Sequence, residues 1–277
     1  MLVSTPIGNL ADLSARAVAT LRRADLILCE DTRVTSRLCG AHGIGTRLSP
    51  LHDHNEDARI AHILDLLRQG RRIALVSDAG TPLVSDPGYR LVRAVLAENI
   101  PVGGIPGANA ALLALTLSGL PPHPFLFLGF PPPRRAGRRA AFATLRGAER
   151  AGLRATLIWY EAPHRLAETL EDLQAVFGDR DAAVARELTK RFEEVRRGPI
   201  SGLSAHFAAV AARGEITVLL GPPGEEAVAD DLEDRVRVAL ETLSFKEAVA
   251  QVTAATGVPR KRVYALALVH QGRQQGV

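Results

Sequence analysis

Hydrophobic and polar positions follow two different periods along the first half of the chain. Short apolar runs, which predict buried β-strands, lie at residues 26–29, 73–77, 101–105 and 125–130. The segments between them repeat apolar residues every three to four positions, which predicts helices at residues 12–23, 55–69, 88–98 and 109–119. An alternation of strands and helices predicts a mostly parallel sheet that is covered by helices on both faces.

A proline-rich segment then interrupts this pattern. Residues 131–133 are three consecutive prolines, and Gly137 follows them. Because proline fixes its backbone and lacks an N–H group, this segment can continue neither a strand nor a helix. We therefore predict a domain boundary after residue 130. A second set of strands is predicted at residues 155–160, 182–187, 193–197 and 215–220, with helices at residues 163–177 and 201–213.

The last segment of the chain is predicted to be helical. Strand patterns stop after the Gly-Pro-Pro-Gly sequence at residues 221–224, and helices are predicted at residues 231–243, 245–256 and 259–270. A glycine turn between two short helices is typical of a helix-turn-helix; a plain helical appendage that caps the second domain is the alternative. The predicted fold class is α/β, with two α/β domains at residues 1–130 and 131–224 and a small helical C-terminal domain at residues 225–277.

The last two predicted helices carry apolar residues at helical spacing. We expect them to pack together through Ala248, Val249, Val252, Val263, Leu266 and Ala267. The cations that this packing leaves outside are Lys246, Arg260, Lys261 and Arg262.

Composition limits the class of protein. Hydrophobic residues make up 47% and charged residues 23% of the 277 residues, which is typical of globular proteins. No apolar run approaches the roughly 20 residues that span a bilayer, and the N-terminus lacks the pattern of a signal peptide. Cys29 and Cys39 are too few and too badly spaced for a zinc site. We expect reduced thiols in a cytoplasmic protein.

Basic residues are concentrated in two places. Residues 130–154 contain seven arginines and one acid, Glu149, and residues 246–277 contain five basic residues and one acid, Glu247. Either cluster could contact a phosphate backbone or form a solvated surface. We predict RNA phosphate contacts for four arginines of the proline-rich stretch, namely Arg134, Arg135, Arg138 and Arg139.

The strongest local motif is the loop SDAGTPLVSDPG at residues 77–88, between a predicted strand and a predicted helix. Ligands of open α/β sheets bind beyond the carboxyl ends of the strands, and small residues let a ligand approach the backbone. Asp78 offers a carboxylate for an amino group or a ribose hydroxyl. The alternative is a simple turn in which Asp86 caps the helix. Residues 105–110 and 4–10 form similar loops, and neither matches a dinucleotide or P-loop motif, which favours a cofactor without phosphate.

Further polar clusters follow other predicted strands. They lie at residues 30–33, 52–56, 160–165 and 186–191. His52 and His54 could ligate a metal, but Asp53 or Asn55 at this position is more typical of a helix cap, so no metal site is predicted. A single carboxylate–arginine pair is more often structural than catalytic.

Taken in order, these motifs resemble the RsmI-type 16S rRNA (cytidine-2′-O)-methyltransferases of the tetrapyrrole-methylase superfamily. The matching motifs are STPIGNL at 4–10, CEDTR at 29–33, HDHNE at 52–56, SDAGTPLVSDPG at 77–88, PGANA at 106–110, YEAPHR at 160–165, RELTK at 186–190 and GEITVLLG at 214–221. They cover essentially the first 221 residues, and the tail is similar to the small C-terminal helix-turn-helix-like domain of that family.

The resemblance implies a homodimer that binds S-adenosylmethionine in the cleft between the two α/β domains and methylates a cytidine ribose in 16S rRNA of the small ribosomal subunit. The cofactor contacts that it implies are Pro6, Ile7, Asp78, Thr81, Asn109, Ala110, Tyr160, Ala185, Arg186, Ile216 and Thr217. The candidate catalytic residues are Glu30, Glu161, His164, Glu187 and Lys190, with His54 and Glu56 as further candidate bases. Arg33, Arg165 and Lys190 suit phosphate binding or orientation.

Two alternatives stay open at the level of sequence. A tetrapyrrole C-methyltransferase of the same fold would need an apolar cleft, whereas these loops are rich in Arg, His and Glu. A nucleic-acid-binding regulator that uses the C-terminal helices would leave the loops at residues 77–88 and 105–110 unexplained.

Overall fold

The first sheet consists of short parallel strands. A computed structural model describes residues 1–256 and 258–275, with the backbone alone at residues 225–231 and 272–275. The strands are β1 (Leu2–Val3), β2 (Leu26–Cys29), β3 (Leu48–Pro50), β4 (Ile73–Val76) and β5 (Gly104–Ile105). They pair in the order β3-β2-β4-β1-β5, and each pairing is parallel. The prediction of a parallel sheet is confirmed.

Helices cover both faces of this sheet. They are α1 (Ala15–Arg23), α2 (Thr32–Ala41), α3 (Glu56–Arg68), α4 (Tyr89–Ala97) and α5 (Ala110–Ser118), with a 3₁₀ helix at Leu10–Asp12. In β2, Ile27 packs into a core with residues of α1 and α2, and Leu28 packs into a second core with residues of α3 and α4. Because successive strand residues point to opposite faces, the two cores lie on opposite sides of the sheet.

The second sheet contains β6 (Phe125–Phe127), β7 (Thr156–Glu161), β8 (Asp181–Arg186), β9 (Glu194–Pro199) and β10 (Ile216–Leu220). Its strand order is β6-β7-β10-β8-β9. The helices of this region are α6 (Arg135–Arg150), α7 (Leu166–Phe177) and α8 (Ile200–Ala209), with a 3₁₀ helix at Pro163–Arg165. The strands predicted from residue 155 onwards are confirmed to within two residues at each end.

Helix α6 corrects the interpretation of the arginine-rich stretch. Arg134 precedes the helix, and Arg138 is fully buried inside it. The Arg138 guanidinium lies 2.7 Å from the buried carboxylate of Asp172, which Arg135 and Arg139 also contact at 3.0 and 2.6 Å. Burial by itself would raise the pKa of Asp172, but hydrogen bonds from the three arginines outweigh it and lower that pKa. The prediction of RNA contact is therefore wrong for the buried Arg138, and it stays a prediction for Arg134, Arg135 and Arg139, whose side chains are exposed.

The C-terminal segment forms three helices, α9 (Glu225–Thr242), α10 (Phe245–Thr256) and α11 (Arg260–Gln275). They share a small core of their own, in which Val236, Val249 and Val263 are at most 1% exposed. All six residues predicted to pack α10 against α11 lie in or against this core, and the four cations predicted outside are exposed. The helical prediction is confirmed, with Gly257 of the predicted turn outside the described residues.

The chain divides into two compact units that do not follow chain order. Unit 1 contains residues 1–117, 185–195 and 214–217, and unit 2 contains residues 118–184, 196–213 and 218–277. The domain boundaries after residues 130 and 224 therefore stay predictions. No helix within the described residues has both the length and the apolar character that a bilayer crossing requires.

Candidate active site

Three loops of unit 1 meet at the carboxyl edge of the first sheet, where a parallel sheet binds its ligands. The loops follow β1, β4 and β5. Thr5 and Gly80 exchange backbone hydrogen bonds of 2.8 and 3.2 Å, and the Thr81 hydroxyl donates to the Ala108 carbonyl at 3.2 Å. These two contacts join the three loops, which contain six of the predicted cofactor residues, namely Pro6, Ile7, Asp78, Thr81, Asn109 and Ala110.

The backbones of these loops approach one another closely. A Cβ atom at Gly107 would lie 2.8 Å from the Cβ of Ser4, so this position excludes a side chain. Leu83 and Ser85 have φ angles of 70° and 64°, in the left-handed region. Such residues cost about 1–3 kcal/mol each and persist where the surrounding structure holds them, often at functional sites. The loop of residues 77–88 is therefore held in a defined shape.

A cluster of carboxylates lies beside these loops. One oxygen of Asp78 accepts a hydrogen bond from the Asp31 N–H at 3.1 Å, which joins the loops after β2 and β4. Burial raises the pKa of Glu30, and the charges of Asp78 and Asp53 raise it further. Burial, followed by the charges of Glu30 and Asp78, raises the pKa of Asp86 to about 6. The carboxylates thus repel one another in a partly desolvated place.

Asp31 differs from its neighbours in this cluster. Its carboxylate caps α2 through the Arg33 N–H at 2.8 Å and pairs with the Arg33 guanidinium at 2.6 Å. Hydrogen bonds from Arg33 lower the pKa of Asp31 to about 2. Within the described part of the chain, Glu30, Asp78 and Asp86 form no ion pair of this kind. They are the carboxylates that remain for a ligand.

These carboxylates fit S-adenosylmethionine, whose sulfonium and ammonium groups are cations and whose ribose offers two hydroxyl donors. An opposite charge within a few ångströms stabilises the ionised form of a buried carboxylate. The partly buried Asp78 would hold an ammonium or ribose hydroxyl group of this cofactor, and Asp86 and Glu30 would balance its positive charge. The cluster, with the close approach at Gly107, accommodates a cofactor that has no phosphate.

A second polar group forms where the loop after β8 meets the start of β10. The ammonium of Lys190 donates to Glu187 at 2.9 Å and to Glu215 at 2.8 Å. Hydrogen bonding from Lys190 lowers the pKa of Glu187. Burial by itself would lower the pKa of Lys190, but the bonds to Glu215 and Glu187 outweigh it and raise that pKa. Lys190 thus stays charged, Glu187 stays ionised and paired, and neither suits the role of a proton acceptor.

Glycines let this second group pack. A Cβ atom at Gly214 would collide with the carboxylate of Glu187, and one at Gly8 would lie 2.5 Å from Cγ of Lys190. Glu187 and Thr189 have φ angles of 52° and 66°, and the latter is unusual for a β-branched residue. The loops at residues 4–10, 186–190 and 214–217 therefore come together in unit 1.

The remaining predicted cofactor residues differ in what they expose. Ala185, Ile216 and Thr217 have side chains that are buried, so their backbone is what a ligand can contact. Arg186 pairs with Glu194. Asn109 accepts a hydrogen bond from the Leu112 N–H at 3.0 Å and thereby caps α5.

Unit 2 contains Tyr160, Glu161 and His164. Tyr160 packs edge-on against Phe127 and Phe130, with ring centroids 4.8 and 5.7 Å away. Glu161 is buried; its oxygens accept hydrogen bonds from the Thr169 hydroxyl at 2.6 Å and the Ala162 N–H at 2.7 Å. This engagement favours a structural role for Glu161 over that of a base. His164 is exposed on the 3₁₀ helix.

Two residues of the motif at residues 52–56, Glu56 and Asn55, have structural roles. Glu56 is 2% exposed; its carboxylate accepts from the Leu91 N–H at 2.8 Å and pairs with Arg90 at 3.3 Å. Asn55 accepts from the His52 N–H at 2.9 Å and makes no side-chain cap on α3, so the capping interpretation is wrong in detail. Asp86 does not cap α4 either, because the residue at the cap is Gly88.

Two residues, one in the carboxylate cluster and one in the group around Lys190, are not predicted as site residues from the sequence. The sequence suggests Asp86 only as a helix cap, although its place in a loop with Asp78 is a signal of a shared carboxylate site. Glu215 belongs to the motif at residues 214–221, and nothing in the sequence shows that it reaches Lys190.

Solved structures share this fold. The cobalt precorrin-4 methyltransferase CbiF superimposes with a TM-score of 0.57 at 15% identity, covering 79% of this chain and 93% of that one. A uroporphyrin-III-C-methyltransferase from Thermus thermophilus gives a TM-score of 0.52 at 22% identity, covering 78% and 91%. These two likenesses show the fold of the chain.

The chain belongs to the family of Tetrapyrrole (Corrin/Porphyrin) Methylases, whose profile matches residues 1–204. The profile of the RsmI C-terminal HTH domain matches residues 226–271. A ribosomal RNA small subunit methyltransferase I of Micromonospora olivasterospora is 47% identical over 273 residues, which cover 95% of this chain and 84% of the relative. The protein of the same name from Escherichia coli O157:H7 is 43% identical, covering 98% and 95%. The cofactor of this family is S-adenosylmethionine.

Proposed function

We propose that this protein transfers the methyl group of S-adenosylmethionine to the ribose 2′-hydroxyl of a cytidine in the 16S RNA of the small ribosomal subunit. The observation that carries the proposal is the match, at 47% identity over 95% of the chain, to a relative named for methylation of small-subunit ribosomal RNA. The choice of a cytidine and of its 2′-oxygen rests on the resemblance of the sequence motifs.

The chemistry asks little of the protein beyond positioning and removal of one proton. S-adenosylmethionine supplies a methyl group that its sulfonium makes electrophilic. Holding the hydroxyl in line with that methyl group can lower the barrier by roughly 7–11 kcal/mol. A placed base contributes about 10²–10⁴-fold in rate.

Among the candidate bases, we propose Glu30 as the proton acceptor. Glu161 and Glu56 are engaged with hydrogen-bond donors, and Glu187 is paired with Lys190. Glu30 is exposed, follows β2 at the carboxyl edge of the sheet, and has a raised pKa. A carboxylate with a raised pKa is the better base near neutral pH. Lys190, held by two carboxylates, would orient the substrate electrostatically.

The tetrapyrrole alternative is supported by the description of the matching family and by two fold neighbours. Both neighbours are below 25% identity, whereas the two relatives named above for ribosomal RNA are 47% and 43% identical. A macrocycle would also need apolar walls, and the carboxyl-edge loops of unit 1 carry Glu30, Asp78 and Asp86 instead.

We further propose that the protein acts as a homodimer in the cytoplasm, as the sequence resemblance implies. Size-exclusion chromatography with light scattering measures the mass in solution. A mass of one 29.6 kDa chain would contradict the dimer.

The experiment is a transfer assay with methyl-labelled S-adenosylmethionine. Small ribosomal subunits from cells that lack this protein should accept label on one cytidine, and nuclease digestion should recover it as a 2′-O-methyl nucleoside.

Asp78→Ala should raise the dissociation constant of S-adenosylmethionine measured by calorimetry, and the isosteric Asp78→Asn shows whether the charge is what matters. In the transfer assay, methyl label on a nucleobase, or on a tetrapyrrole and not on RNA, would contradict the proposed function.

A further inference from the structure

The loop that carries Lys190 also presents an aromatic ring to solvent. Phe192 is 65% exposed, and no other large apolar side chain among the described ones is more exposed. The guanidinium carbon of Arg191 lies 5.5 Å from the centroid of its ring. Single exposed apolar residues are ordinary on protein surfaces, so exposure alone carries no conclusion.

What distinguishes this ring is the rigidity of the loop beneath it. The Thr189 N–H donates to the Glu193 carboxylate at 2.6 Å, and the Glu193 N–H donates to the Lys190 carbonyl at 3.1 Å. Lys190 is itself fixed by Glu187 and Glu215, as described above. Left-handed backbone at residues 187 and 189 turns this short segment sharply. The loop therefore holds Phe192 in one place, two residues from Lys190.

We propose that Phe192, with Arg191, is a stacking platform that positions a base of the single-stranded RNA segment entering the active site. Single-stranded nucleic acids are recognised by base stacking on aromatic side chains, with cations that meet the backbone. Phe192 supplies the ring, and Arg191 supplies the cation beside it. Phe192 acts on the position of the substrate and does not touch the reacting atoms, so it is a positioning residue.

This inference rests on the proposed RNA substrate but is tested by a measurement that does not need methyl transfer. The chain contains one tryptophan, Trp159, which is 3% exposed and gives a constant background. In Phe192→Trp, a base that stacks on the new ring should quench its fluorescence. The probe is a single-stranded oligocytidine of about ten nucleotides, with an abasic ribose-phosphate oligomer of equal length as the second ligand.

A matched control lies in the same unit. Leu96 is 55% exposed in the last turn of α4, at the opposite edge of the sheet from the loops. Quenching of Phe192→Trp by oligocytidine, with none by the abasic oligomer and none in Leu96→Trp, is the expected result. Equal quenching in both variants, or none in Phe192→Trp, would overturn the proposal. Quenching that depends on protein concentration without RNA would show that a second copy covers the ring, which would also overturn it.

Kinetics provide the second arm. Phe192→Ala should lower kcat/KM for small ribosomal subunits by about 5- to 150-fold, the range that corresponds to loss of one stacked base. Phe192→Tyr should retain most of the activity, and the affinity for S-adenosylmethionine should be unchanged in both variants. If both variants lose cofactor affinity, Phe192 supports the fold of the loop and the platform is wrong. If the wild type methylates no RNA, the proposed function fails, while the fluorescence titration still decides the platform.

Discussion

The pKa of a carboxylate in unit 1 depends on whether a cationic side chain pairs with it. Asp31 is neutralised by Arg33, and its pKa falls to about 2. Burial and, after it, the neighbouring charges of Glu30 and Asp78 raise the pKa of Asp86 to about 6. A positively charged ligand, such as the proposed S-adenosylmethionine, would relieve this repulsion.

Glu30→Gln tests the assignment of the base. The substitution keeps the shape of the side chain and removes its ability to accept the proton, so kcat should fall by about 10²- to 10⁴-fold. The affinity for S-adenosylmethionine should change much less, because Asp78 and Asp86 remain. Single-turnover methyl transfer measures the first quantity and calorimetry the second. Glu161→Gln is the comparison; a larger rate loss there than in Glu30→Gln, in protein of normal stability, would reverse the assignment.

The pH dependence of cofactor binding tests Asp86. Its folded pKa is raised from 3.8 to about 6, so the folded protein retains a proton that the unfolded chain releases. The stability from this group is full below about pH 4 and is lost as the pH rises through about pH 6. A bound cation favours the ionised form, so the affinity for S-adenosylmethionine should increase from about pH 5 to about pH 7. Asp86→Asn should flatten that increase, and a slope unchanged by this variant would remove Asp86 from the site.

A buried ion pair fixes helix α6 to helix α7. Arg138 and Asp172 form an ion pair in which both side chains are 0% exposed. Removing one partner of such a pair strands the other charge, so Arg138→Ala should destabilise the protein by about 3–5 kcal/mol. Arg134→Ala, at the exposed start of the same helix, should change stability by less than about 0.5 kcal/mol. Urea denaturation compares the two, and equal midpoints would contradict the structural role.

Most elements of the fold are predictable from sequence, because their apolar periods are clear. Helix α6 is not, because the prolines at residues 131–133 and the run of arginines resemble a linker, and nothing local shows that Asp172 neutralises them. Helix α2 and strand β3 escape prediction because both are short and partly polar. The site loops at residues 77–88 and 105–110 are recognisable from their small residues. The contact of Glu187, Lys190 and Glu215 joins residues 28 positions apart, and only the folded chain brings them together.

The charges at the start of α11 predict a role for the C-terminal helices. Arg260, Lys261 and Arg262 occupy its first turn, where the helix dipole disfavours cations, and no acid accompanies them. This arrangement costs stability and suits binding of phosphate. A chain that ends at Gly224 should still bind S-adenosylmethionine but methylate small subunits poorly.

The full-length control for that truncation replaces Lys246, Arg260, Lys261 and Arg262 with Ser. It leaves the shared core of α9, α10 and α11 intact. The salt dependence of RNA binding should become shallower by about 0.7–0.9 for each phosphate that the variant no longer neutralises. Full methylation by the truncated chain would favour the plain helical appendage, and loss of cofactor binding would make the segment part of the catalytic body.

At the scale of the whole molecule, chain order and spatial organisation differ. Residues 185–195 and 214–217 leave the second stretch of sequence and join unit 1, where the first of these segments contacts the loop at residues 4–10. Sequence periods report neighbours along the chain, so they predict boundaries at residues 130 and 224 and cannot show this exchange. Unit 1 therefore contains most of the predicted cofactor residues.

The most direct test of the central claim is a map of ribose methylation in small-subunit RNA from cells that lack this protein. We expect one cytidine to lose its 2′-O-methyl group, the wild-type gene to restore that group, and the Glu30→Gln variant not to restore it. An unchanged set of 2′-O-methylated cytidines in those cells would contradict the proposed function.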